Sequence, residues 1–374
     1  MTSPLHGVRI LDLSRVLSGP FASMSLADLG ADVVKVEHPT RPDETRSFGP
    51  PYVDGVSAYY LSANRGKRSI TLDLKDSADQ QTARDLALAA DVVLENFRPG
   101  VAARLGLGAA ALRAAKPSLI YCSISGFGQD DPRPAYDLVI QGMGGIVSLI
   151  GPPDGAPYKV ATSIADLIAG QSAISAILAA LLRRERTGAG ATIDVPMIDG
   201  QRAMLVYRAS NWLNAGVQPV RTGNEHASLY PYATFPVADG HLNLAVANDI
   251  QFAGLCKVIG RPELADEPRF ATNPARVRHR DELSVILAAV LPSRCRDEWL
   301  AVLAAEGVPA GPIHTVAEAL EGAELVTHEH PEGGRPVRTV PLPFILSEAP
   351  RASERRAPRL GEHNDEVVEE WLAR

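Results

Sequence analysis

The chain reads as an α/β protein with an open, mostly parallel sheet covered by helices on both faces, followed by a smaller α+β domain. Three observations carry that reading. Short apolar runs alternate with helical stretches through roughly the first 200 residues, the pattern of parallel strands joined by crossover helices. The texture then changes, at a loop rich in Gly, Asn, His, Pro and Tyr that precedes a hairpin and several short helices. The 374 residues also exceed what one hydrophobic core usually spans, so two domains are expected.

The elements follow in order. VRILDLS (8–14) is a short apolar strand that SGP (18–20) breaks, and FASMSLADLG (21–30) is a helix closed by Gly30. DVVKVE (32–37) is the next strand. The unit recurs as the strand RSITLDLK (68–75), a helix over 77–90, the strand DVVLENF (91–97), a helix near 101–115 and the strand SLIYCSISGFG (118–128). A long helix beginning around Asp166 and the strand ATIDVPMID (191–199) complete the series. A helix over 201–215 leads into TGNEHASLYPY (222–232), and TFPVADGHLNLAVAN (234–248) reads as a hairpin turning at Asp239-Gly240. Short helices are expected at 249–259, 281–291, 296–306 and 315–321. Strand-like text returns in RPVRTVPLPFIL (335–346), ahead of a loop and a final helix in PRLGEHNDEVVEEWLAR.

Composition narrows the function. The net charge of −7 argues against a general affinity for nucleic acid or an anionic membrane. Cys122, Cys256 and Cys295 are far apart and form neither a metal-ligand spacing nor a disulfide framework, which suits a reducing cytoplasm. MTSPLHGVRILDLS lacks the charged and apolar regions of a signal peptide, so a cytoplasmic protein is expected. The most apolar run, Leu167 to Leu182, contains Gly170, Gln171, Ser172 and Ser175 and is shorter than the roughly 20 residues of a membrane span; a buried core helix is expected. The histidines are scattered without an H-E-x-x-H pattern, so no metal site is expected, and His328 and His330 beside Glu329 are assigned to solvated surface. No G-x-S-x-G elbow and no G-x-G-x-x-G turn is present.

Two features carry possible chemistry. ANRGKRSITLDLK (63–75) places Arg65, Lys67, Arg68 and Lys75 against Asp73, and ENFRPGVAARLG (95–106) adds Arg98 and Arg104. Each cluster lies beside a strand end, where open α/β sheets bind ligands, so they read either as a local anion site or as solvated surface. The second feature is Asp166, a lone acid in front of an almost uncharged helical stretch. It reads as a helix cap or as a nucleophile, and a helix N-terminus would favour its charged form in either role. A carboxylate is feeble against an ordinary ester or amide. Against an activated thioester it is plausible, and attack would give a mixed anhydride that conserves the acyl energy. Spacing leaves both readings open.

Several blocks in order resemble the family III CoA-transferases, the group that includes formyl-CoA transferase and carnitine CoA-transferase. The carriers are GVRILDLSRVLSGPFASMSLADLGADVVKVE (7–37), NRGKRSITLDLK (64–75), DVVLENFRPGV (91–101), YCSISGFGQ (121–129), ADLIAG (165–170), LLRRERTGAG (181–190), GNEHASLYPY (223–232) and LGEH (360–363). The resemblance implies a Rossmann-like large domain and a nucleophilic aspartate in a D-x-x-x-G context, which Asp166 and Gly170 match. It implies that CoA is held by Val16, Leu72, Lys75, Asn96, Phe97 and Arg104, with Arg133 or Tyr136 near the thioester. Position 38, often arginine in the family, is His38 here. CoA and acyl-CoA would be substrates, with a carboxylic acid as the other partner and no permanently bound cofactor.

The resemblance also implies an interlocked homodimer, each chain threaded through a ring in its partner, with the active site between the large domain of one subunit and the small domain of the other. A discontinuous large domain, 1–205 and 328–374, would enclose a small one at 225–325, with linkers at 206–224 and 326–327. Gly223 and Asn224 in the TGNEH loop are the candidate lid and oxyanion donors, an ordinary linker being the other reading. The family includes α-methylacyl-CoA racemases, which need an acid/base group on each face of the α-carbon and carry a histidine before the aspartate of one block. Here Tyr136 precedes Asp137, and a phenol with a pKa of about 10 is a poor base, which favours transfer over racemisation. A CoA-binding protein without catalysis is a third reading, against which Asp166 and Gly170 count. Dicarboxylates such as succinate or a methyl-branched relative are the expected acids. Arg221 or Arg202 could meet a distal carboxylate, surface exposure being the expected fate of either.

Overall fold

The six strands of the large sheet are β1 (Arg9–Asp12), β2 (Asp32–Glu37), β3 (Lys67–Thr71), β4 (Val92–Glu95), β5 (Ile120–Ser125) and β6 (Thr192–Pro196). Their apolar residues alternate between two buried clusters: Ile10 opposes Leu11, Val33 opposes Val34, Val92 opposes Val93 and Ile120 opposes Tyr121. Both faces are therefore covered, which is why these strands read as continuous apolar runs. The strand order is β3-β2-β1-β4-β5-β6 and every pair is parallel. Chain direction across the sheet reverses beside β1, so the loops leaving β1 and β4 diverge and open a crevice at their carboxyl ends. This computed structural model describes residues 3–347 and 349–373.

The helices that matter for the crevice are α1 (Ser18–Asp28), α2 (Ser77–Ala89), α3 (Asp137–Met143), α4 (Ile164–Thr187) and α5 (Asn364–Leu372). Ala22 and Leu26 of α1 share one cluster with Ala169, Ala173 and Ile177 of α4. Ala83 and Leu86 of α2 share the other with Val367 and Trp371 of α5. The chain end is also tied by charge, since Arg68 pairs with Asp32, Glu366 and Glu370, and the Trp371 indole donates to Asp32 at 2.8 Å. By length and composition α4 could cross a membrane, but its buried residues build the core beside the sheet.

Two compact units divide the chain. The first holds the residues through Val147, Lys159–Gln218 and the chain from Glu324 onward; the second holds Ser148–Tyr158 and Pro219–Ala323. The boundaries differ from those drawn on sequence texture: helix Val206–Ala215 falls in the first unit rather than a linker, and 148–158 falls in the second. The second unit has a three-stranded antiparallel sheet, β7 (Tyr232–Val237), β8 (Gly240–Ala245) and β9 (Ala310–Pro312), under helices that bury Phe252, Leu283 and Trp299.

Several local expectations are corrected. Helix α1 begins at Ser18 rather than Phe21, with Ser18-Gly19-Pro20 as its first turn, because proline's missing N–H has no intrahelical acceptor there in any case. The helix expected over 101–115 is two, Val101–Arg104 and Ala109–Ala115, interrupted where Gly106 and Gly108 weaken helix propensity. The one expected over 201–215 begins earlier and is split into Met197–Ala203 and Val206–Ala215. Of the strand-like text at 335–346 only β11 (Val337–Thr339) pairs, with β10 (Val326–His328). His328 and His330 are buried rather than solvated, bonding the carbonyls of Ser353 (2.8 Å) and Val53 (2.9 Å).

Candidate active site

The turn after β1, residues 14–20, stands on buried charge. Asp12 accepts from the Ser14 N–H (2.9 Å), from the Ser14 hydroxyl and from the Ser23 hydroxyl (2.5 Å), and pairs with Lys67 at 3.2 Å. Lys67 also donates to the Pro20 carbonyl (3.0 Å) and the Asn64 side-chain oxygen (2.9 Å), so its three protons are engaged. Lys35 donates to the Ser14 carbonyl (2.8 Å) and to Asp43 (2.9 Å), and Asp43 accepts the Val16 N–H at 3.2 Å. Both ion pairs are fully buried. Burial draws Lys67 down to about 8 despite Asp12. It also opposes the charge on Asp43, yet the Lys35 ammonium and the Thr45 donors together hold that carboxyl at about 2. From the side, Asn96 accepts the Arg15 N–H (2.9 Å) and donates to the Arg15 carbonyl (2.8 Å). Pinned in this way, Val16 sits at φ +69°, a strained conformation for a β-branched residue. Gly19 is needed where the turn folds back, since a Cβ there would lie 2.2 Å from Ser14 Oγ.

Asp166 is the third residue of α4, not its cap. Ser163 holds the N-cap position without a side-chain bond, and the Ala165 N–H is taken by Asp137 Oδ1 from α3 at 2.9 Å. The other oxygen of Asp137 accepts from Gln141 at 2.8 Å. A second acid therefore does the capping and leaves the Asp166 carboxylate facing the cleft. One turn further along, Gly170 admits α1: a Cβ there would lie 2.7 Å from the Ser18 carbonyl oxygen and 2.9 Å from the Phe21 ring. That approach sets Ser18 beside Asp166, whose charged form its hydroxyl and backbone N–H favour. Burial first, and then the charge of Asp137, raise Asp166 to about 6, with the Ser18 donors restraining the rise. The helix terminus thus does not keep this acid in the ordinary carboxylate range, though about nine-tenths is ionised at pH 7. Tyr59 lies close by; burial and the Asp166 charge raise its phenol, and Ser163 opposes the rise.

Asp166 shares one cleft, of about 440 Å³, with Val16, Asn96, Phe97, Arg133 and Tyr136, at the carboxyl ends of β1, β4 and β5. Leu72, Lys75 and Phe97 line a neighbouring cleft of about 370 Å³ with His38 and Arg41, past the ends of β2 and β3. Both clefts have Arg15, Phe97 and Val101 in their walls, so they are successive segments of one groove. Arg104 is exposed and lines neither. Gly223 and Asn224 lie in the second unit, in an exposed turn closed by the Glu225 N–H to the Thr222 carbonyl (3.0 Å) and anchored by Arg280 on Glu225 (2.7 Å).

The basic cluster at 63–75 is mostly not an anion site. Arg65 pairs with Asp28, Lys67 with Asp12 and Arg68 with Asp32, all turned inward, and only Lys75 of the four reaches the groove. His38 is held by Arg41 (2.9 Å) and faces Asp73 at 3.6 Å. Arg221 bonds the Pro152 and Gly155 carbonyls, and Arg202 pairs with Asp199 on the surface. Sequence reasoning missed Arg15, Ser18 and the capping role of Asp137. The one signal was Lys35, a lone charge inside an apolar strand that demands a buried partner.

A model of CoA-transferase family III matches residues 5–364. The chain belongs to that family. This CoA-transferase is 42% identical to the succinate–glutarate CoA-transferase of Agrobacterium fabrum, over 98% of this chain and 95% of that one. It is 44% identical to the acetyl-CoA:oxalate CoA-transferase of Acetobacter aceti, over 84% and 82% of the two chains. A CaiB/BaiF family protein from Brucella suis has the same fold, with a TM-score of 0.86 at 41% identity over 99% of this chain and all of that one. The transferase moves CoA between an acyl-CoA and a carboxylic acid. Tyr136 is an exposed phenol in the wall of the Asp166 cleft.

Proposed function

We propose that this CoA-transferase exchanges CoA between dicarboxylic acids through covalent intermediates on Asp166. The carrying observation is a carboxylate relieved of capping by Asp137 and set in a cleft at the switch point of the sheet. Asp166 attacks the donor thioester, the carbon–sulfur bond breaks, and an acyl-aspartyl anhydride and CoA thiolate result. The thiolate then attacks the aspartyl carbonyl, releasing the donor acid and leaving an aspartyl-CoA thioester. The acceptor carboxylate runs the sequence in reverse. Each intermediate is hydrolysable, so water must be kept out.

In this reading CoA lies along the groove, with its nucleotide end toward Leu72 and Lys75 and its thioester toward Arg133, Tyr136 and Asp166, and Arg104 could meet it only from outside the two clefts. Dicarboxylates fit for two reasons. Relatives are named for succinate, glutarate, oxalate and mesaconate. Arg98 lines the Asp166 cleft and, among the described residues, has no ion-pair partner for its guanidinium. The interlocked homodimer, the lid role of Gly223 and Asn224 and a cytoplasmic location belong to the same reading.

Mass spectrometry of the Asp166 peptide, after incubation with a panel of acyl-CoAs and no acceptor, tests it. An adduct that hydroxylamine removes and Asp166→Ala abolishes is expected, strongest with dicarboxylic acyl groups. An unlabelled Asp166 with CoA still bound would overturn the route, and solvent deuterium entering the α-carbon would then point to racemisation.

A further inference from the structure

The covalent route, on which this inference rests, attacks two different carbonyl groups: that of the substrate thioester and that of Asp166 itself. Charge developing at the second needs donors of its own. When the CoA thiolate adds to the acylated Asp166, a carbon–sulfur bond forms and the carbonyl π pair moves onto the aspartyl oxygen. Collapse of that oxyanion returns the pair, breaks the bond to the donor acyl oxygen and expels the donor carboxylate, with no net proton moved. Asp137 cannot help, because it is an acid whose oxygens already accept from Ala165 and Gln141.

Ser18 is placed to do so. It is the first residue of an eleven-residue helix, so its N–H has no intrahelical acceptor. It is 2% exposed, lines the same cleft as Asp166, and is brought to it by the missing Cβ of Gly170. The turn that carries it is fixed from below by Lys67 on the Pro20 carbonyl and Lys35 on the Ser14 carbonyl, so the donors need no rearrangement as charge appears. We propose that Ser18 is a catalytic residue, its hydroxyl and backbone N–H forming an oxyanion hole for the Asp166 carbonyl rather than for the substrate carbonyl.

The test is the rate at which the CoA adduct forms on Asp166, by rapid quench and intact-mass measurement with one acyl-CoA and no acceptor. Ser18→Ala keeps the N–H and removes one donor, so adduct formation should slow about 10- to 100-fold, with CoA affinity changed less than about twofold. The acid limb of the kcat/KM profile should also move to higher pH, an effect that a merely structural role would not produce. Ser18→Gly should show the same loss, and Ser18→Thr, which restores a hydroxyl, should recover part of the rate. A folded Ser18→Ala or Ser18→Gly protein forming the adduct at the wild-type rate would overturn the proposal while leaving Asp166 as nucleophile. Wild-type protein with no adduct would overturn both.

Discussion

At neutral pH the charge of Asp166 sits where burial and Asp137 disfavour it, its carboxyl standing at about 6 against an ordinary 3.8. Because the folded pKa is the higher one, the unfolded chain gives up this proton first as pH rises. The charge therefore works against folding above pH 6, by something on the order of 3 kcal/mol, and the penalty disappears below the unfolded pKa. Asp166→Asn should accordingly raise the melting temperature at pH 7.5 and leave it unchanged near pH 3.5, while abolishing transfer. In the wild type, kcat/KM should fall about tenfold per unit below pH 6, as Asp166, the proposed nucleophile, takes up its proton. Spacing left Asp166 open between cap and nucleophile, and only the family resemblance of its D-x-x-x-G setting favoured the nucleophile. What removes the capping reading is Asp137, which comes from another helix and whose hydrogen bond to Ala165 no spacing predicts.

At the scale of elements, the contact that builds the site is the approach of α1 to α4 at Ser18 and Gly170. Gly170→Ala should push Ser18 away from Asp166, at a cost of about 1–3 kcal/mol from overpacking against backbone. Transfer should fall more than CoA affinity does, which denaturant melts, CoA titration and kcat together would show. The parallel strands were legible because their two-sided burial writes itself as apolar runs. The start of α1 was not, since Ser-Gly-Pro serves equally as a loop and as a first turn. Nor was the fate of the basic cluster, because a cation's direction depends on partners remote in sequence. Arg65 finds Asp28, and Arg68 finds Glu366 and Glu370 near the other end of the chain.

At the scale of the molecule, the sheet order and its reversal beside β1 place much of the groove at strand ends, 13–18, 36–44, 72–75, 96–101, 124–126 and Met197, while Leu105, 133–136 and Asp166 come from the loops and helices beside them. The alternation of strands and helices allowed that class of architecture to be read ahead of the structure, whereas strand order and the assignment of 148–158 to the second unit depend on long-range pairing. Arg15, Phe97 and Val101 stand in the walls of both clefts, and with CoA lying along the groove as proposed this would make the groove a ruler. A substrate is gripped fully only if it is long enough to reach past that shared stretch, and attachment at the far end is what aligns the reacting end. A short thioester such as an acyl-N-acetylcysteamine, which fills the Asp166 segment alone, should then lose turnover and not only affinity. Adding free CoA fragments should not restore it, because an anchor that is not joined to the acyl group exerts no pull on it.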